Sequence, residues 1–263
     1  MFHTVIIPVR DYERYLPHCC WALWRSATLC RQEKELEICL VREAGDSHCA
    51  TPPCGDVVQV DRQGRYFNKC RLQNIGIQES HGDVLTFLDA DSIVGPRFLE
   101  TGPLLLQPEY ARVTKFCYRV RYLPPAALQQ LNACTGDQDK EALVGLWFNK
   151  WLYFDRAFEG YGQAETNVPD NRVDPQAPVF GNSDFSIRRD VLGDLRFDEQ
   201  YVGRGYEDVE MNRRIWRHYG QQYKALIMTD ADHGVFQIRN PYQGEVWGPG
   251  EQNSRNQQRY AST

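Results

Sequence analysis

Asp83-Val84-Leu85-Thr86-Phe87-Leu88-Asp89-Ala90-Asp91 joins a short apolar run to a pair of acids. Val84, Leu85, Phe87 and Leu88 lie between Gly82 and the acids, a length and a boundary that suit a buried strand better than a helix. A buried strand has little use for two carboxylates two residues apart, because they repel one another and desolvation adds to the cost. A cation neutralises both, so one reading is a divalent-metal site at the C-terminal edge of a sheet, where open α/β folds place their ligands. The other is an Asp-rich turn with both acids in water. The stretch alone leaves both open.

Toward the N-terminus, Thr4 to Val9 reads as a strand ending at Arg10-Asp11. A helix follows, with Tyr15, Cys19, Leu23 and Ala27 at i, i+4 spacing and Pro17 in its first turn. Leu36 to Val41 and Val57 to Val60 read as strands, and Phe67 to Ser80 as a helix leading into the opening stretch. Strand, helix, strand, strand, helix, strand predicts an α/β fold with a mixed, mostly parallel sheet flanked by helices. Toward the C-terminus the pattern loosens. Pro96 to Leu106 suggests a helix that Gly102-Pro103 should break or kink. Ala111 to Tyr122 alternates as one strand, and 125–134 and 139–158 look helical. Residues 160–178 form a long loop, and Val179 to Arg188 is extended. A helix over 207–219 ends at Gly220, and Ala225 to Met228 is a last strand before Asp232-His233. From about Gly244 the composition is that of a tail or lid.

The 263 residues are 42% hydrophobic and 25% charged, which is globular composition, and the formal net charge of -5 argues against broad electrostatic binding to nucleic acid. No segment has the length and apolarity of a membrane span. The opening MFHTVIIPVRDYE has neither a basic leader nor a small-residue cleavage site, so a soluble, cytoplasmic protein is expected. Nine cysteines without a CxxC pair suit reduced thiols. His48, Cys49 and Cys54 lack a second ligand pair at zinc-finger spacing.

Two further clusters carry chemistry. Gly203-Arg204-Gly205-Tyr206 leads into a helix whose first turn holds Glu207, Asp208 and Glu210. Such acids complement the helix dipole, and Glu210 can pair with Arg214. Asp208 shares a face with the apolar Met211 and Ile215, so it is the acid expected to point into a cleft, where it can act as a general base. Asp232-His233 follows the last strand, and an imidazole beside carboxylates suits a metal such as Mn²⁺.

Three stretches together carry a likeness: VIIPVRD at the start, FNKCRLQNIGIQESHGDVLTFLDADSIV in the middle, and GNSDFSIRRDVLGDLRFDEQYVGRGYEDVEMNRRI later. The chain resembles GT-A fold glycosyltransferases of the family 2 type, with a galactosyltransferase-like C-terminal half. That resemblance implies one GT-A domain over 1–263: a nucleotide-binding half over 1–95, an acceptor and catalytic half over 96–243, and a tail or lid over 244–263. It implies a nucleotide-sugar donor, UDP-linked first and GDP-linked second, with Mn²⁺ or Mg²⁺. Asp89 and Asp91 match the family's DxD, Asp89 near the ribose and Asp91 on the metal, with His233 completing the metal site. Pro8, Val9, Arg10 and Asp11 match the loop that holds the nucleotide. Glu43 matches an acid on the base or ribose, and Arg71 and Asn74 match residues that face the nucleotide. Asp208 matches the catalytic base of inverting members, with Glu207 beside it near the acceptor. Arg204 stands where many relatives carry Trp or Gly lining the donor sugar, a departure that suits a charged sugar or a salt bridge to Glu207.

The aromatic block from Trp147 to Tyr161 falls where the family places acceptor contacts, although most such rings pack helices onto sheets. A soluble glycan, a small metabolite, a protein or a modified nucleic-acid base all suit as acceptor, and the oligomeric state stays open. Three rivals to inverting transfer remain: a retaining transferase on the same fold, a sugar-nucleotide nucleotidyltransferase, and a non-catalytic sugar or nucleotide binding module, which should have lost the DxD or the base where this chain keeps both. The second should carry a glycine-rich phosphate loop after the first strand, where this chain has PVRDYERY.

Overall fold

The computed structural model describes residues 2–10, 14–43, 56–61, 63–64, 66–151, 184–203, 205–228, 230–238 and 250–262. The 160–178 loop, residues 179–183 of the Val179 to Arg188 stretch, and His48, Cys49 and Cys54 therefore lie outside the described residues.

The N-terminal part follows the alternation seen in the sequence. Strand β1 (His3–Val9) leads to helix α1 (Leu16–Cys30), which carries its proline in the first turn. Strands β2 (Leu36–Glu43) and β3 (Asp56–Val60) precede helix α2 (Lys69–Glu79) and strand β4 (Val84–Phe87). The expected break at Gly102-Pro103 does not occur. Helix α3 spans Thr101–Leu105, so Pro103 falls in its first turn, where no intrahelical N–H bond is required. Strand β5 (Ser92–Val94), unrecognised in the sequence, comes directly after the acids.

The single strand expected over Ala111 to Tyr122 is two. Strands β6 (Lys115–Tyr118) and β7 (Val120–Leu123) are separated by Arg119 and belong to different sheets. Helices α4 (Ala126–Ala133) and α5 (Asp137–Asn149) follow, then strand β8 (Phe185–Arg188), helix α6 (Arg189–Leu192) and helix α7 (Glu207–Tyr219). Strand β9 (Ala225–Met228) matches its expected bounds, and strand β10 (Val235–Ile238) is an addition. Where a tail was expected, helix α8 covers Gly250–Ser262.

The main sheet runs β3-β2-β1-β4-β8-β6-β9, with β8 antiparallel to both neighbours and the other pairs parallel. A second sheet, β5-β10-β7, branches from it. Helices cover both faces of β1. A Cβ on Gly76 of α2 would lie 2.3 Å from Ile6, and one on Gly102 of α3 would lie 2.4 Å from His3. Ile6 and His3 alternate across the strand, so the two helices press on opposite faces. Phe87 anchors the centre, its ring 4.8 Å from Phe185 and 5.2 Å from Phe197. The carboxyl end of β4, where the acids sit, is thus fixed by a packed core.

Candidate functional site

The turn between the two sheets carries the acid pair. Leu88 donates its N–H to Ile6, which extends the β4 ladder by one residue. Asp89 then donates its backbone N–H to the Asp184 carboxylate at 3.1 Å, and the Asp91 carbonyl accepts the Ile238 N–H at 3.0 Å. Lys69 opens α2 and is 3% exposed, and its ammonium is ion-paired with Asp89. Gln237 of β10 donates to Asp89 at 3.0 Å and lies 3.3 Å from the other Asp184 oxygen. Asp89 is therefore held by groups from α2, β10 and the lead-in to β8.

The acids outnumber the ammonium among them, and the electrostatics show the excess. Burial, with Asp89 beside it, pushes the Asp91 carboxyl up to about 8 against the pull of Lys69. The same causes hold Asp184 well above the usual carboxylate range. Burial and then Asp208 raise Glu207 to about 7, and one of its oxygens is buried without a hydrogen-bond partner. Asp208 is raised as well, by burial first, with Lys69 opposing. Burial alone would lower Lys69, but Asp89, Glu207 and Asp184 outweigh it and keep the ammonium charged. The loop into α7 needs left-handed backbone at Gly203, Gly205 and Tyr206 (φ 73°, 100° and 70°), and this turn brings Glu207 and Asp208 to face Lys69.

Other sequence-predicted residues gather at the edge of this cluster. Pro8 and Val9 end β1, in register with Val41 and Arg42. Arg10 and Glu43 are both buried and pair at 3.4 Å, and Arg71 approaches Glu43 at 3.8 Å. Asn74 is committed elsewhere. Its amide donates to Phe197 and Glu199 and accepts from the Phe197 N–H, so it braces α2 against the 197–199 segment. Asp11 and Arg204 lie outside the described residues. Among the described rings of the aromatic block, Phe148 and Trp151 both pack on Phe236 of β10, each at 4.8 Å.

His233 does not join the acid pair. Strand β10 runs antiparallel to β5, with Val235 opposite Val94 and Gln237 opposite Ser92. His233 lies upstream of Val235, so it falls at the far end of this ladder, roughly 16 Å from Asp91. There it hydrogen-bonds Asp230 at 2.8 Å and faces Glu100 at 3.8 Å. Its place after β9 suggested proximity to the acids, and the direction of the unrecognised β10 reverses that. Among the described residues no three-ligand His, Cys, Asp or Glu group is assembled. Two carboxylates, Asp91 raised by burial and by Asp89 beside it, still fit Mg²⁺ or Mn²⁺, which take one or two protein carboxylates together with substrate phosphates.

Sequence reasoning passed over Lys69, Asp184 and Gln237. Asp184 carried a signal, since it is an acid directly ahead of the apolar run Phe185-Ser186-Ile187. Lys69 lies one turn from Leu72 and beside Cys70, on the face of α2 that turns inward.

No family model matches the chain. It is 26% identical over 227 residues to the probable N-acetylgalactosaminyltransferase 6 of Caenorhabditis elegans, an alignment covering 81% of this chain and 34% of that protein. The chain thus spans about a third of the length of that relative. Among solved structures, S. aureus TarS 1-349 in complex with UDP matches 92% of the chain and 62% of its own, at 13% identity and a TM-score of 0.53. The mannosyltransferase PcManGT of Pyrobaculum calidifontis, in complex with GDP-Man and Mn²⁺, matches 90% of the chain and 56% of its own, at 14% identity and a TM-score of 0.54. The chain has the GT-A fold of these glycosyltransferases.

Proposed function

We propose that this protein transfers a sugar from a nucleotide-sugar donor to a hydroxyl acceptor, with inversion at the anomeric carbon. The observation that carries the reading is the set of buried carboxylates, Asp91, Asp184 and Glu207, gathered with Asp89 around the buried Lys69 at the C-terminal edge of a sheet with this fold. Such an edge is where open α/β sheets bind ligands, and a surplus of buried negative charge calls for a cation. The related structures, which hold UDP, UDP-GlcNAc or GDP-Man with Mn²⁺, support a nucleoside diphosphate there.

In this reading Asp91, with Asp89, holds Mn²⁺ or Mg²⁺, and His233 is not part of the set. The bound cation supplies Lewis-acid neutralisation of charge on the departing diphosphate, worth several kcal/mol. Lys69 adds a fixed positive charge and orients Asp89. Arg10, Glu43 and Arg71 form the wall for the base and ribose. Asp208 takes the proton of the acceptor hydroxyl. Its raised pKa makes it a stronger base than a solvated aspartate, and Lys69 and Lys115 favour its ionised form. Glu207, titrating at about 7, can hydrogen-bond the acceptor in either protonation state. The chain is read as one domain, with 1–95 contributing the donor half.

Thermal shift against a panel of nucleoside diphosphates with Mn²⁺ tests the donor side. UDP is expected to stabilise strongly, GDP less, and the absence of any metal-dependent stabilisation would sink the reading. Asp91→Asn should abolish the metal-dependent part. Asp208→Asn should leave donor binding intact and reduce transfer by about 10²–10⁴-fold. Transfer surviving in that variant would remove Asp208 as the base, and NMR of the product anomer decides between inversion and retention.

A further inference from the structure

A second cleft opens at the opposite edge of the main sheet. It encloses about 780 Å³ between the segment preceding β6, the end of β8 and the turn that joins α7 to β9. Its position follows from the register. Arg188 pairs with Val84 at the start of β4, five residues before Asp89, so the cleft lies roughly 16 Å along the strand from the acid cluster.

The lining is unlike the rest of the molecule. Arg112, Arg188 and Lys224 contribute three cations and no acid lines the cleft, in a chain with a formal net charge of -5. Among the described residues Arg112 and Lys224 have no ion-pair partner, and both are exposed. Arg188 is tethered by weak bonds to the Ala111 carbonyl and by Asp190 at 3.3 Å, an acid that is 78% exposed. Tyr219 and Tyr223 add two aromatic surfaces. Tyr219 is fixed by donating to the Val191 carbonyl at 2.5 Å, whereas the Tyr223 hydroxyl is buried without a hydrogen-bond partner. Burial also pushes the Tyr223 phenol up, so it stays a neutral donor. The amides of Gln221 and Gln222 line the same space. Two backbone-anchored bonds, Thr114 N–H to the Lys224 carbonyl at 2.8 Å and Lys224 N–H to Thr114 Oγ1 at 3.0 Å, hold the walls together. The site is therefore pre-formed, which lowers the ordering cost of binding.

We propose that this cleft is an accessory binding site for an anionic oligosaccharide. Arginine and lysine take a sulfate, carboxylate or phosphate through charge-assisted hydrogen bonds. Aromatic faces with adjacent amide and hydroxyl groups suit the apolar face and rim hydroxyls of a pyranose ring. A chain held here stands apart from the acid cluster, so the cleft retains a glycan without occupying the place of transfer. The choice of a saccharide as carrier of the charge rests on the glycosyl-transfer reading. Binding is measured on the whole protein without donor or acceptor, so failure here and failure of transfer are separate results.

The experiment is calorimetry with a sulfated hexasaccharide, an uncharged hexasaccharide and inorganic sulfate, at an ionic strength of about 0.15 M. The sulfated chain is expected to bind at least about tenfold more tightly than either other probe. Arg112→Glu with Lys224→Glu should weaken it by a further tenfold or so and leave UDP binding unchanged. If that variant fails to fold, the milder Arg112→Gln with Lys224→Gln serves. Tyr223→Phe should weaken the oligosaccharide without lowering Tm. Unchanged affinity in the charge variants would overturn the site. Inorganic sulfate binding as tightly as the hexasaccharide would overturn the saccharide assignment.

Discussion

Glu207 shows how one side chain records the charge balance of the site. A carboxyl raised in the folded state takes up a proton on folding, so the stability it contributes is present at low pH. That stability is lost as pH rises from the ordinary carboxylate value, 4.5, to about 7. Glu207→Gln keeps the shape and removes the charge. Thermal unfolding of the metal-free protein at pH 8 should therefore show Tm higher by roughly 2–6 °C, with little change at pH 5. An equal shift at both pH values would mean that Glu207 is not a strained acid. Lys69→Met does the opposite, leaving Asp89 without its ammonium. The expected loss is about 2–3 kcal/mol by denaturant titration, below the figure for a fully buried pair because Asp89 is 24% exposed. At this scale the sequence marked the acids that end an apolar run, Asp89 and Asp91, and the structure sets them in the turn after β4. The sequence was not readable where the partner lies far away. Asp89 meets Asp184 across 95 residues and Gln237 across 148, and no local pattern reports such a pairing.

The loop into α7 is held by an element whose sequence looked like a tail. Asn256 of α8 is 2% exposed and donates to the carbonyls of Val202 and Gly205, both at 3.1 Å. Arg259 reinforces the dock through Asp198 at 3.0 Å. These bonds bracket a turn in which Tyr206 occupies left-handed backbone, a conformation that persists only when its surroundings impose it. Asn256→Ala should cost about 1–3 kcal/mol in stability. On the proposed function it should also lower kcat for transfer more than it weakens nucleotide binding, because the turn leads into Asp208 and not into the Arg10, Glu43 and Arg71 wall. Steady-state kinetics beside nucleotide calorimetry checks this, and an equal effect on both would rule out the link. Helices α1, α2 and α7 were legible from their length and from local signals: the proline in the first turn of α1, the Asn68 cap of α2 and Gly220 at the end of α7. Strands β5 and β10 were not: β5 is only three residues long and directly follows the acid pair, and β10 carries the polar Gln237 within a run of four that directly follows Gly234. The division at Arg119 was hidden for a related reason. Alternation continues through it, and only the separate partners of β6 and β7 reveal two sheets.

At the scale of the molecule, the acid cluster sits where the chain leaves one sheet for another. Strand β4 lies in the seven-stranded sheet and β5 in the three-stranded one, and the acid pair occupies the turn between them. The small sheet returns through β10, and Gln237 bridges Asp89 and Asp184. A neutral amide there can donate to carboxylates without altering the charge that, on the proposed function, a metal and a diphosphate would meet. Gln237→Leu keeps the volume and deletes the bridge. Tm should fall by a few degrees, for about 1–2 kcal/mol, and metal-dependent nucleotide affinity should drop about tenfold as Asp89 loses a restraint. Gln237→Glu adds a fourth acid to Asp89, Asp91 and Asp184, so at pH 8 without metal it should be clearly less stable than the leucine variant. Added Mn²⁺ should narrow that gap, because like charges around a cation are neutralised where like charges alone repel. If the glutamate variant is as stable as the leucine variant at pH 8, the repulsion inferred among Asp89, Asp91 and Asp184 is already relieved by protonation. The metal would then have to displace protons to bind, and its affinity should rise steeply with pH.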